Sequence, residues 1–252
     1  MVNESTSVET SSPSSSKQAS ARLHSVDFMR GVACLSMPIF HSVYNLYQFG
    51  FTDTAWTKTL FWVVYQKMGL GTFVLVSGMA FTLSTQSGVR WDRILRRVLK
   101  LGGIALAITI ATYFAEPNKF VRFGVIHFFA SVILIAMLVR PLKQWLIIPG
   151  AVIIAVAVIV GKGGVDPNPW LYITGLMSNR PSSIDYIPFV PWLGVFMIGM
   201  GVANWFRLPD TATQPSKYMK PVIWLGKHSL PFYIIHQVVL YGIFYLIALA
   251  IR

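Results

Sequence analysis

Three ionisable residues stand inside one apolar stretch, SVDFMRGVACLSMPIFHSVYNLY at about residues 26–48: Asp27, Arg30 and His41. Burying such groups among apolar neighbours is costly, so each is a functional candidate by default. Arg30 and His41 are eleven residues apart. On a helix this is about 20° past three full turns, so they share a face and lie about 16 Å apart along the axis. Asp27, three residues before Arg30, can pair with it. Asn45 continues the face four residues beyond His41, and Pro38 removes a backbone hydrogen bond just before it. A guanidinium at a membrane surface suits a phosphate-bearing donor. An imidazole halfway across suits proton transfer or a covalent acyl intermediate. Together they suggest a donor on one side and an acceptor on the other. The plain structural alternative is an interfacial ion pair and a packed histidine.

Two more histidines lie inside apolar runs, His127 in FGVIHFFA and His236 in LPFYIIHQ, the latter followed by Gln237. Either could serve a substrate pathway or hold a hydrogen bond in the core. Each is alone on its own helix, so the spacing offers no metal-binding motif and no metal is expected. His24 and His228 fall near the predicted cytoplasmic surface. Asp185 precedes the Pro-rich YIPFVPW, where it could orient an imidazole or bind a hydroxylated acceptor. Intramembrane His and Arg could also line a proton or anion path, which makes a transporter or channel the alternative function.

The elements that must position these groups follow from composition. Of 252 residues, 54% are hydrophobic and 12% charged, and mean hydropathy is +0.59. A soluble domain has about twice that share of charge, so an ordinary soluble globule is excluded. Hydropathy predicts an all-α polytopic bundle of about seven spans: 26–48, 60–84, 97–115, 123–140, 144–161, 187–206 and 229–251. Strand-like alternation is absent, which argues against a β-barrel. Residues 1–21 read as a disordered Ser/Thr-rich tail, leaving 22–252 as the transmembrane domain. The loop 162–186, rich in Gly, Pro, Asn and Asp, is long enough to be a lid or substrate contact. Gly71 and Gly78 can seat close helix contacts, and Trp56, Trp62, Trp170 and Trp192 fit an aromatic belt.

The net charge of +12 does not require nucleic acid. Thirteen Lys and Arg, five of them in RWDRILRRVLK, fall on the side that carries the N-terminus, and seven on or near the other. That bias predicts a cytoplasmic N-terminus and an external C-terminus. The lone Cys34 excludes an intrachain disulfide.

RLHSVDFMRGVACLSMPIFH resembles the first helix of the transmembrane acyltransferase superfamily, with Asp27, Arg30, Gly31 and His41 matching in order and spacing. FVLVSGMAFTLS, RFGVIHFFAS, DYIPFVPWLGVFMIGM and LGKHSLPFYIIHQVVLYG extend the resemblance to the heparan-alpha-glucosaminide N-acetyltransferase catalytic family of bacterial integral membrane proteins. The resemblance implies an enzyme of the bacterial inner membrane with no bound cofactor. It would pass an acyl group, usually acetyl, from cytoplasmic acyl-CoA to an amine or hydroxyl of a glycan or similar acceptor across the bilayer. His41 would be the base or acyl carrier, and Arg30 would contact the donor. His127, Asp185, His228, Ser229, His236 and Gln237 enter by motif position. The expected site is a cavity open near Arg30 and reaching His41. The chain has fewer spans than larger relatives, which leaves a homodimer open.

Overall fold

The computed structural model describes residues 24–161, 163–206 and 216–251. The expected tail, 1–21, lies outside them. The described residues form an all-helical bundle with two isolated β-bridges, Phe123 to Tyr186 and Asp166 to Met177. Its helices are α1 (His24–Gln48), α2 (Leu60–Thr85), α3 (Trp91–Ala115), α4 (Val125–Val139), α5 (Ile147–Val160), α6 (Phe189–Trp205), α7 (Lys220–Lys227) and α8 (Ser229–Ile251).

Contacts between side chains fix the directions. Ser36 faces Gly69 and Phe40 faces Trp62, so α2 runs against α1. Phe73 meets Phe129 and Thr85 meets Arg140, so α4 runs with α2. Gly150 abuts Gly194, and Gly201 abuts Ile147, so α5 runs against α6. His41 meets His236 and Phe49 meets Tyr241, so α8 runs with α1. The seven long helices therefore alternate in direction along the chain. Four stretches are long and apolar enough to span on their own: Leu60–Thr85, Trp91–Ala115, Val125–Val160 and Ser229–Ile251. The third is broken into α4 and α5 by a 3-10 segment, Arg140–Leu146, where Lys143 takes a positive φ of 49°. Its halves run in opposite directions.

The eight tryptophans divide between the two ends. Trp56, Trp62, Trp170 and Trp192 lie where α1 finishes and α2 and α6 begin; Trp91, Trp145, Trp205 and Trp224 lie at the opposite end, all exposed. Two such girdles are the interfacial signature of a membrane protein. Trp192 differs from the rest of its set by packing inward, against Gly71.

The core lies between α2, α4 and α6, around Phe73, Phe81, Phe128, Val132, Phe196 and Met200. Gly78 and Gly199 let α2 and α6 meet backbone to backbone, against the carbonyls of Phe196 and Leu75. Gly78 thus does what its spacing predicts, while Gly71 makes only an ordinary contact.

Two elements differ from the sequence expectation. The basic run Arg93, Arg96, Arg97 and Lys100 is not loop but the opening turns of α3, where Arg96 pairs with Asp92 at 2.6 Å. The i,i+4 spacing of opposite charges supports helix there. Nor is 220–227 a simple connector. It forms α7, an amphipathic helix laid across the start of α1, with Gly31 against Val222 and Gly226 against the Asp27 carbonyl. A Cβ at Gly226 would collide with that carbonyl, so Gly226→Val should cost about 1–3 kcal/mol. Thermal unfolding in detergent checks this, with Gly242→Val, whose surroundings are open, as the control that shifts far less.

Candidate active site

The first cluster sits where α1 begins. Asp27 is buried beneath α7, and its Oδ1 pairs with Arg30 Nη1 at 3.5 Å. Cys34 follows one turn later, fully buried. Both Cys34 and the Arg97 guanidinium from α3 lie within electrostatic reach of Arg30. Beside this cluster a shallow concavity is lined by His24, Lys220, Ile223, Trp224 and Lys227. That concavity does not continue to His41, contrary to the expected cavity. The reason is α7, which closes over Asp27 and Gly31.

The second cluster lies between α1 and α8. The rings of His41 and His236 are 5.2 Å apart, centre to centre, and tilted by 52°. His236 Nδ1 is 2.8 Å from the Tyr233 carbonyl and 3.1 Å from that of Phe232. Carbonyls only accept, so Nδ1 carries the proton and Nε2 the lone pair. Phe232 stacks on the same ring at 5.4 Å and 9°. Nε2 is buried with no hydrogen-bond partner among the described residues. The same holds for Gln237 Oε1 and for both amide atoms of Asn45. Asn45 has an exposure of 0%.

A third cluster, at the end where α4 begins, involves Asp185. Segment 182–187 zips onto 119–123: Ile184 N–H donates to the Lys119 carbonyl, Ile187 N–H to that of Phe123, and Arg122 to that of Ser182. This sets Asp185 at the start of α4, where its Oδ2 accepts from the Val125 N–H and the Tyr233 hydroxyl, each at 2.8 Å. Tyr233 lies one turn before His236, with ring centres 6.0 Å apart. Asp185 therefore reaches the histidine pair through Tyr233 and not by bonding an imidazole. Burial raises its carboxyl above the usual value, partly offset by these two hydrogen bonds.

The remaining candidates are placed apart. His127 is the third residue of α4. Its Nδ1 accepts from the Gly124 N–H at 3.3 Å, so its Nε2–H donates to Thr109 Oγ1 at 3.0 Å. Both nitrogens hold the α3–α4 corner. His228, at the α7–α8 joint, is exposed, stacks on Trp224 at 4.4 Å and bonds the Trp224 carbonyl. Ser229 opens α8, two turns below His236. Sequence reasoning missed Tyr233 and Arg97. The i,i+3 spacing of Tyr233 and His236 was available as a signal; nothing in the sequence tied Arg97 to Arg30.

An alternating bundle with four long apolar stretches and two tryptophan girdles defines an integral membrane protein. The family model described as heparan-alpha-glucosaminide N-acetyltransferase, catalytic, matches residues 22–238. The chain belongs to that family, whose function is of the membrane acetyltransferase type. The match takes in every candidate above, from Asp27 to Gln237. No curated protein and no solved structure matches the chain.

The raised carboxyl of Asp185 carries a sign. A proton held more tightly in the folded state stabilises the fold fully below the ordinary carboxylate value, and that stability is lost as pH rises through the folded value. Asp185→Asn keeps an oxygen for both donors and removes the titration. It should flatten the fall in melting temperature above about pH 4, measured as unfolding midpoint against pH in detergent.

Proposed function

We propose that this protein transfers an acyl group, acetyl by preference, from acyl-CoA to an amine or hydroxyl of a glycan-type acceptor, across the bilayer. The donor enters at the end where α1 begins, which the basic bias makes cytoplasmic in a bacterial inner membrane. The acceptor approaches from the other. The observation that carries this is the His41–His236 pair, two imidazoles facing each other well inside the bundle, on a helix whose start bears an ion pair.

The steps follow from the residues. Arg30, with Arg97 near it and Lys220 and Lys227 beside it, attracts the phosphates of the donor. His236 offers a lone pair toward His41, because its own Nδ1–H is committed to the α8 backbone. A neutral His41 keeps one ring nitrogen with a free lone pair, and that nitrogen is the base. The base takes the proton of the acceptor nucleophile as its N or O bonds the acyl carbon. The C–S bond breaks and the proton passes to the departing thiolate. Asp185 and Tyr233 hold His236 in place.

Transport is the weaker account, because the family is one of transferases and the imidazoles are paired and not strung along a path.

His41→Ala should abolish thiol release from acetyl-CoA in the presence of glucosamine, while the protein stays folded; full activity in that variant removes the role of His41. Arg30→Ala should raise the KM for acetyl-CoA by about tenfold or more, the loss of one charge-assisted contact. An unchanged KM, measured by the same assay, removes the donor assignment.

A further inference from the structure

His41, Asn45 and Phe49 follow one another at four-residue spacing along α1, so they form a single stripe. The two ends of that stripe touch α8: His41 meets His236, and Phe49 meets Tyr241 at 4.9 Å and Phe244 at 6.3 Å. Asn45, between them, faces the same helix. It is wholly enclosed, yet neither its amide nitrogen nor its amide oxygen has a hydrogen-bond partner among the described residues.

An enclosed amide with all its hydrogen-bonding capacity unused weakens the fold that holds it. A Leu, whose side chain branches in the same way without polar atoms, would suit an apolar interface better. The groups around it sharpen the point. His236 Nε2 carries a lone pair and Gln237 Oε1 is a carbonyl oxygen, so both are acceptors, and both are buried and unpartnered. Of the buried unpartnered atoms at this interface, Asn45 Nδ2 alone is a donor.

Acyl transfer needs such a donor. When the nucleophile adds, the carbonyl oxygen of the acyl group becomes negative and must be met by hydrogen-bond donors. Acceptors at that position would repel it. We infer that Asn45 is a catalytic residue whose Nδ2 donates to the acyl oxygen as the charge develops, while its Oδ1 accepts from the incoming amine or hydroxyl. One helical turn separates Asn45 from His41, about 6 Å along the axis. An acyl carbon admitted between them would have the base on one side and the donor on the other. The new bond is acceptor to acyl carbon, the bond broken is C–S, and the proton moves through His41 to the thiolate.

The inference rests on the acyltransferase function proposed above, and one experiment separates the two. The full chain and Asn45→Leu are purified in detergent and assayed for thiol release from acetyl-CoA with glucosamine, alongside their melting temperatures. The expected result is an active parent and a variant at least as stable, with kcat lower by about 100-fold or more and KM for acetyl-CoA within about twofold. A stable variant with parental kcat overturns the role of Asn45. So does a variant that melts markedly lower, because the amide would then be part of the fold's own bonding. An inactive parent chain overturns the transferase function, and with it this role.

Discussion

A single carboxylate oxygen decides where the second histidine stands. Asp185 Oδ2 accepts from the Val125 N–H, at the start of α4, and from the Tyr233 hydroxyl, on α8. A part-buried carboxylate has lost some of its water, and these two donors replace it. α8 otherwise packs chiefly along α1, and most of its surface is exposed. The Tyr233 link therefore sets the height of α8 against the rest of the bundle. One turn further on, that height brings His236 to His41. The hydrogen bonds of 182–187 with 119–123 matter for the same reason, because they deliver Asp185 to its position.

The polar groups within the bundle fall into two kinds among the described residues. His127, Thr109, Asp185 and Tyr233 have their hydrogen bonds filled by one another and by backbone. They hold helix ends and corners. Asn45, His236 Nε2 and Gln237 Oε1 are buried with capacity unused. In a low-dielectric setting an unfilled group is expensive and a filled one rigid. Of the filled groups, Tyr233 stands next to the unfilled ones, one turn from His236, while His127 and Thr109 hold the distant α3–α4 corner.

The two ends of the bundle differ in character. At the end where α1 begins, cations from α1, α3 and α7 gather around one buried acid, Asp27. At the other, the loop folds back onto the α3–α4 connection and carries aromatic and arginine side chains in contact, Arg122 over Phe120 and Arg180 over Tyr186. α7 stands across the first end and separates the shallow concavity there from the histidines.

The sequence by itself determined the all-helical bundle, its seven long helices and the polar face of α1. A charge share of 12% leaves too little polar surface for water, and the 3.6-residue period places Asp27, Arg30, His41 and Asn45 on one side of any helix they form. Local rules suffice for such features because they depend on neighbours in the chain. The pairing of His41 with His236, across almost two hundred residues, depended on how helices stack, as did the linkage of Asp185 to Tyr233. Period and composition say which face is apolar, but not which helix will lie against it. The same is true of α7. Its sequence marks an amphipathic segment, yet only the meeting of Gly31 with Val222 and of Gly226 with Asp27 shows that it closes over the start of α1. His127 and Asn45 make the contrast plain. Both are polar residues inside apolar runs, and nothing local separates them. In the folded chain one has both ring nitrogens bonded and the other has every polar side-chain atom unpartnered, because hydrogen bonding is settled by three-dimensional neighbours.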